Sequence, residues 1–231
     1  MTARLRMAGI KSFLLASIML ALQMIIFHIS AGYIGPRQWI FFGASFIHYS
    51  ISTIVQYKLN PELLIQRLKR KREGSKLWDE ILVRASNLTI LIAVPVVAGL
   101  DIGRFHGSDL NEQFLVLGFI PFTISTFLIN WAMVTNPHFE PTVRIQKDRG
   151  HKVITRGPYR IVRHPGYLGG ILFVLSLPLI IGSMFAFIPA GIYSVLFIAR
   201  TSLEDRTLNA ELDGYPEYAK QVKYKLFPGF W

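Results

Sequence analysis

The 231-residue chain contains no cysteine, which rules out disulfides, thiolate metal sites and a cysteine nucleophile. Histidine is sparse too: the six residues are scattered without an HxxxH or HExxH pair, so the sequence offers a metal ion no ligand set. Acids are few, 14 against 25 Lys and Arg, and charged residues make up only 17%. No internal repeat or low-complexity run is visible. A net charge of +11 suggests nucleic acid at first sight. With 52% hydrophobic residues and a mean hydropathy of +0.38, however, the composition lies on the membrane side of globular chains.

Apolar residues come in blocks of 15 to 21 separated by charged stretches, the pattern of one integral membrane unit. Six spans can be drawn, at 12–29, 38–57, 85–100, 114–134, 168–182 and 183–199. About 20 residues at ~1.5 Å each cross a ~30 Å hydrocarbon core. The last two spans are short, and joined they would be too long for one crossing. A hairpin turning near Gly182 and Ser183 is therefore expected, with Pro178 and Pro189 kinking its arms. Arg4, Arg6 and Lys11 before the first apolar run give the outline of a signal peptide, but that run is longer than a usual h-region and more spans follow. It reads as an uncleaved span.

The placement of charge sets the orientation. Of the 25 Lys and Arg, 23 fall before the first span, in 58–84, in 135–167 or after Ala199, and the alternate loops hold only Arg37 and Arg104. Both termini and both long loops are thus expected on the cytosolic side, and the basic character belongs to topology and anionic lipid. In the first long loop Asn60 is a candidate N-cap, Pro61 opens a helical turn, and Leu63, Leu64, Ile65 and Leu68 give an apolar face beside the basic run 67–72. That is a short interfacial helix, whose plainest role is to hold lipid headgroups. After the last span a charged helix should end at Asp213-Gly214. A second, from Pro216 to about Tyr224, should carry Tyr218 and Val222 on one face.

The second long loop holds the stretch with chemistry, TRGPYRIVRHPGYLG at 155–169. Gly157-Pro158 fixes a turn and His164-Pro165 forces the histidine out of helical angles, so the loop is stiff where it meets the membrane. Each residue has a plain explanation when taken alone: topology for Arg156, Arg160 and Arg163, the interfacial belt for Tyr159 and Tyr167, a structural hydrogen bond for His164. Together they supply two aromatic faces and an imidazole beside arginines. Past the last span Arg200 and Glu204 lie four apart on one helical face. A surface pair of that kind contributes only about 0.3–0.5 kcal/mol, but at a membrane boundary it points to a polar cavity.

The RHPGYLG motif at 163–169, preceded by GHKVITRGPYR and followed by Glu204-Asp205 and by YPEY at 215–218, resembles the isoprenylcysteine carboxyl methyltransferase family of integral membrane methyltransferases. It is also similar to the related phospholipid N-methyltransferases. Specific matching covers about 146–231; the NPELL, KLWD and YKLFPGFW stretches resemble bacterial-type members. The resemblance implies S-adenosyl-L-methionine as cofactor on the cytosolic side. It also implies cofactor contacts at Gln146, His151, Val153, Ile154, Tyr159, His164, Pro165, Gly166, Tyr167 and Glu204. Arg200 matches the arginine placed near the acceptor, and His164 is the candidate base if that acceptor is an amine. Where the family often has Glu-Glu, this chain has Glu204-Asp205.

The expected fold is therefore all-α, a multi-pass transmembrane bundle of about six spans with a cytosolic cofactor-binding loop and C-terminal helices. Residues 1–134 would form the N-terminal spans with the interfacial loop 58–84, and 135–231 the catalytic region with its hairpin at 168–199. The expected activity is methyl transfer to a lipophilic acceptor reaching the site from the bilayer, foremost carboxyl O-methylation of an isoprenylcysteine-like substrate. Phospholipid or small-amine N-methylation is the alternative within the enzyme class. From another class, a transporter or lipid-binding scaffold would line a path with Gln23, His28, His48, Asn87 and Asn130. Membrane lipids are expected partners, nucleic acid is not, and the cytoplasmic membrane is the expected location.

Overall fold

The structure is a computed structural model that describes residues 3–69 and 72–231. Its helices are α1 (Ala3–Ala31), α2 (Pro36–Leu59), α3 (Pro61–Arg67), α4 (Leu77–Phe105), α5 (Glu112–Thr135), α6 (Pro165–Ile181), α7 (Phe187–Glu211) and α8 (Tyr215–Gln221). No strand occurs among the described residues. Phe27, Phe42, Ala98, Phe122, Val174 and Leu177 meet in the middle of the bundle. The outward faces are apolar as well, with Ile18, Ile54, Val116, Phe127 and Val195 exposed. A contiguous apolar exterior of this kind suits a protein whose surroundings are hydrocarbon.

Three helices are long and apolar enough to cross a membrane: α1, α4 and α5. The six expected spans all appear as helices, but α6 has only 17 residues, and α2 and α7 are long without reaching the same apolar character. The third begins earlier than expected. The expected loop 58–84 gives way at Leu77, where α4 starts before running to Phe105, and Asp79 is fully buried and paired rather than solvated. A π-helical turn at Thr89–Ala93 precedes Pro95, where the missing N–H would otherwise break the ladder.

The expected hairpin turns where Gly182 and Ser183 lie. Gly182 takes φ +96°, a conformation open to glycine, and both residues donate their N–H to the Pro178 carbonyl at 2.9 Å. Pro178 is inside α6, but Pro189 falls in the first turn of α7, where no backbone donor is needed, so it kinks nothing. Arg37 and Gln38 close the end of α6: Arg37 donates to the carbonyls of Leu179 (2.6 Å) and Ile180 (2.9 Å), and Gln38 to that of Ile181 (2.9 Å).

Asn60 caps α3 as its sequence suggests, accepting from Leu63 N at 3.3 Å. The helix is nonetheless packed inward: Leu63 and Leu64 are fully buried. Of the basic run, Arg70 and Lys71 lie outside the described residues. At the far end α8 starts at Tyr215, one residue before the expected proline, and stops at Gln221; Tyr215 and Tyr218 are its buried face. The closing segment folds back, with Leu226 buried against Tyr167 and Ile171.

Candidate active site

Between α5 and α6 the chain runs from 136 to 164 with only two short 3₁₀ turns, and side chains hold it in shape. The Asn136 side chain accepts from His138 N (2.8 Å) and donates to the Tyr159 hydroxyl (3.2 Å). Gln146 donates to the His138 carbonyl at 2.8 Å, and the His138 and His151 rings lie against each other with centroids 4.4 Å apart. Burial pushes both imidazoles below their ordinary range, His151 to about 4, with neighbouring His138 and Arg144 adding to the effect there. Glu140, itself buried, takes two bonds from Arg144 (2.8 and 3.1 Å) and one from Arg149 (3.4 Å).

α6 then begins at His164-Pro165. Gly166 allows the Phe139 ring to lie directly on the helix: a Cβ there would come within 2.4 Å of ring atoms. One turn of helix thus carries three groups of the motif to one place. Tyr167 stacks on His164 at 5.6 Å, and its hydroxyl donates to a Glu204 carboxylate oxygen. Asp205, the next residue on α7, is a buried hub. It accepts both arms of Arg163 (2.7 and 3.0 Å) and the Tyr215 hydroxyl (2.8 Å), and lies 3.3 Å from His164 Nε2. Burial alone would raise its carboxyl, but hydrogen bonds from His164 and Arg163 hold it well below the usual carboxylate range. Arg163 also donates to the carbonyls of Val222 and Lys223, tying the segment after α8 to the loop.

These elements surround a cavity of about 760 Å³ counting its mouth. Of the residues expected at the cofactor, Gln146, His151, Val153, Ile154, Tyr159, His164, Gly166, Tyr167 and Glu204 line it. Tyr159 and His164 therefore face the same enclosed space as Glu204. Pro165 is buried behind the lining. Arg200 is not in the wall. It does not face Glu204 as a helical pair; its Nε reaches Asp79 Oδ1 at 2.6 Å, its Nη2 reaches Asp79 Oδ2 (3.2 Å) and the Pro141 carbonyl (2.7 Å), and its guanidinium sits 4.8 Å over the Tyr167 ring.

Sequence reasoning passed over Asn136, His138, Phe139 and Glu140, which also line the cavity. A signal was there: a histidine and an acid set between Pro137 and Pro141 directly after a span. Asp79 left none. Its partner is 121 positions away, and Asp79 also accepts from Val143 N at 2.7 Å.

Residues 116–210 match the family model described as the isoprenylcysteine carboxyl methyltransferase family. A protein-S-isoprenylcysteine O-methyltransferase from Schizosaccharomyces pombe is 26% identical over 208 residues, covering 80% of this chain and 84% of that protein. Both findings support an isoprenylcysteine carboxyl methyltransferase-like family for this chain. A probable protein-S-isoprenylcysteine O-methyltransferase from Oryza sativa subsp. indica is 34% identical over 71 residues, 29% of this chain and 37% of that protein. The matched segment opens in α5 and closes at the end of α7, so it contains the loop, the hairpin and Glu204. With its apolar helices, the family marks an integral membrane protein that uses a methyl donor.

Proposed function

We propose that the chain transfers a methyl group from S-adenosyl-L-methionine to the carboxylate of an isoprenylcysteine-like acceptor, with the basic end of the bundle on the cytosolic side. The observation that carries this reading is the cavity itself, which gathers nine of the ten expected cofactor residues, eight from 146–167 and Glu204 from α7, into one lining. When bound, the cofactor supplies a methyl group made electrophilic by a sulfonium. The residues present suit it: a carboxylate at Glu204 for an ammonium, amides at Asn136 and Gln146, and π faces at Phe139, Tyr159 and Tyr167 for a cationic sulfur.

A carboxylate acceptor is already ionised, so the chain needs no general base and His164 is free to serve as a strut on Asp205. What the protein contributes is position and dryness. Stiff loop turns at Gly157-Pro158 and His164-Pro165, buried anchors at Asp205 and Glu140, and a wall of rings hold reactants in line and exclude water. The exposed Ile188, Ile192, Val195 and Ile198 of α7 give a prenyl chain an apolar route from lipid. The test is labelled-methyl transfer by purified protein into a membrane extract containing S-prenylated peptides. Label released from the product by alkali marks a carboxyl ester; label that resists alkali marks N-methylation instead, and absence of transfer overturns the assignment.

A further inference from the structure

The mechanism leaves one half-buried cation unused. Arg67, at the end of α3, is only partly accessible and has no carboxylate within 4 Å among the described residues. Its neighbours are otherwise provided for: Arg144 and Arg149 share Glu140, and Arg200 has Asp79. Arg67 donates to the Phe139 carbonyl at 3.0 Å and lies 5.7 Å from the Phe139 ring centre. Arg200 does the same one step along: it donates to the Pro141 carbonyl and lies over Tyr167. Phe139 and Tyr167 thus each line the cavity and each carry a guanidinium on the ring.

The two cations act on one another. Burial, then Arg72, then Arg200 push the Arg67 guanidinium down to about 10. Arg200 Nη1 has no hydrogen-bond partner among the described residues, since Nε and Nη2 make all its bonds. A cation without a carboxylate partner beside an unpartnered guanidinium nitrogen at a membrane boundary is a site for an anion.

Building on the methyl-transfer reading, we propose that Arg67 is a second anion-recognition residue, which with Arg200 Nη1 holds the acceptor's carboxylate beside the Phe139 and Tyr167 rings, where it faces the cavity. The assignment gives turnover a direction. The carboxylate enters as the missing counter-charge, and after methylation the neutral ester leaves the cations uncompensated, which favours release. Because a carboxylate loses its charge during transfer, Arg67 assists binding more than the chemical step.

The test compares binding of an N-acylated S-prenyl cysteine and its methyl ester to protein in phosphatidylcholine nanodiscs, with Arg67→Gln and Arg67→Lys alongside wild type. Wild type is expected to prefer the acid by about tenfold or more. Arg67→Gln should lose that preference and Arg67→Lys recover part of it. In turnover, KM for the acid should rise about tenfold in Arg67→Gln with kcat and cofactor affinity near wild type. An acid preference that survives Arg67→Gln, or a loss of cofactor affinity equal to the loss of acceptor affinity, overturns the proposal. So does a result in which Arg67→Gln loses only affinity for added anionic lipid, which would assign the residue to headgroups. The binding arm needs no turnover, so failure of methyl transfer itself is read separately.

Discussion

Two adjacent acids on α7 have opposite tasks, and substitution should separate them. Glu204 faces the cavity with Tyr167 as its hydrogen-bond donor. Glu204→Gln should weaken S-adenosyl-L-methionine binding about 10- to 100-fold, the worth of a hydrogen bond to a charged group, while thermal stability stays near wild type. Isothermal titration beside a melting curve checks both. Asp205→Ala removes the shared acceptor of Arg163 and Tyr215 and leaves a guanidinium buried without a counter-charge. It should cost about 3–5 kcal/mol of stability, visible as a lowered melting temperature with or without cofactor. The Glu-Asp dipeptide marked the location in the sequence but not this division, because Arg163 and Tyr215 reach Asp205 from 42 and 10 positions away. Single residues with local partners, such as the Asn60 cap, were legible; acids with distant partners were not.

At the scale of elements, the loop 136–164 owes its shape to buried polar groups rather than to regular structure, and it should be acid-sensitive. Above pH ~6.5 His138 and His151 are neutral in both the folded and the unfolded loop. As the pH falls toward about 4, the unfolded loop takes up protons that the folded one resists, since burial holds both imidazoles below their ordinary range. The contribution to loop stability is thus complete above ~6.5 and lost on the way down to about 4. Cofactor affinity should decline across that window, and His151→Asn should reduce the linked proton uptake by about one. Affinity measured from pH 7.5 to 4.5 decides this; an unchanged slope in the variant would contradict the assignment. The hydrophobic blocks announced the helices and the hairpin at Gly182. The loop fold stayed hidden, because its bonds join residues without any repeating spacing.

For the molecule as a whole, the notable contact is the one that crosses the expected boundary at 134. Asp79, at the start of α4, binds Arg200 of α7 through two bonds and Val143 of the loop through a third. Lys76, just before α4, adds two more: its backbone N–H donates to the Val143 carbonyl at 3.1 Å, and its ammonium reaches Glu211 at 2.7 Å. The first half therefore helps to build the floor under the site in the second. Each partner of the Asp79–Arg200 pair is almost fully buried, so its two charges are costly to hold and more costly to separate. Asp79→Ala should destabilise the protein by about 3–5 kcal/mol, and Arg200→Met by a similar amount, through the charge each leaves behind. The double variant Asp79→Leu with Arg200→Met should recover much of that loss, because two apolar side chains replace two desolvated ions. Melting of the four proteins in one detergent tests the coupling: additive losses would mean that the two residues do not act as a pair, whereas recovery in the double variant would show that they are coupled across the boundary.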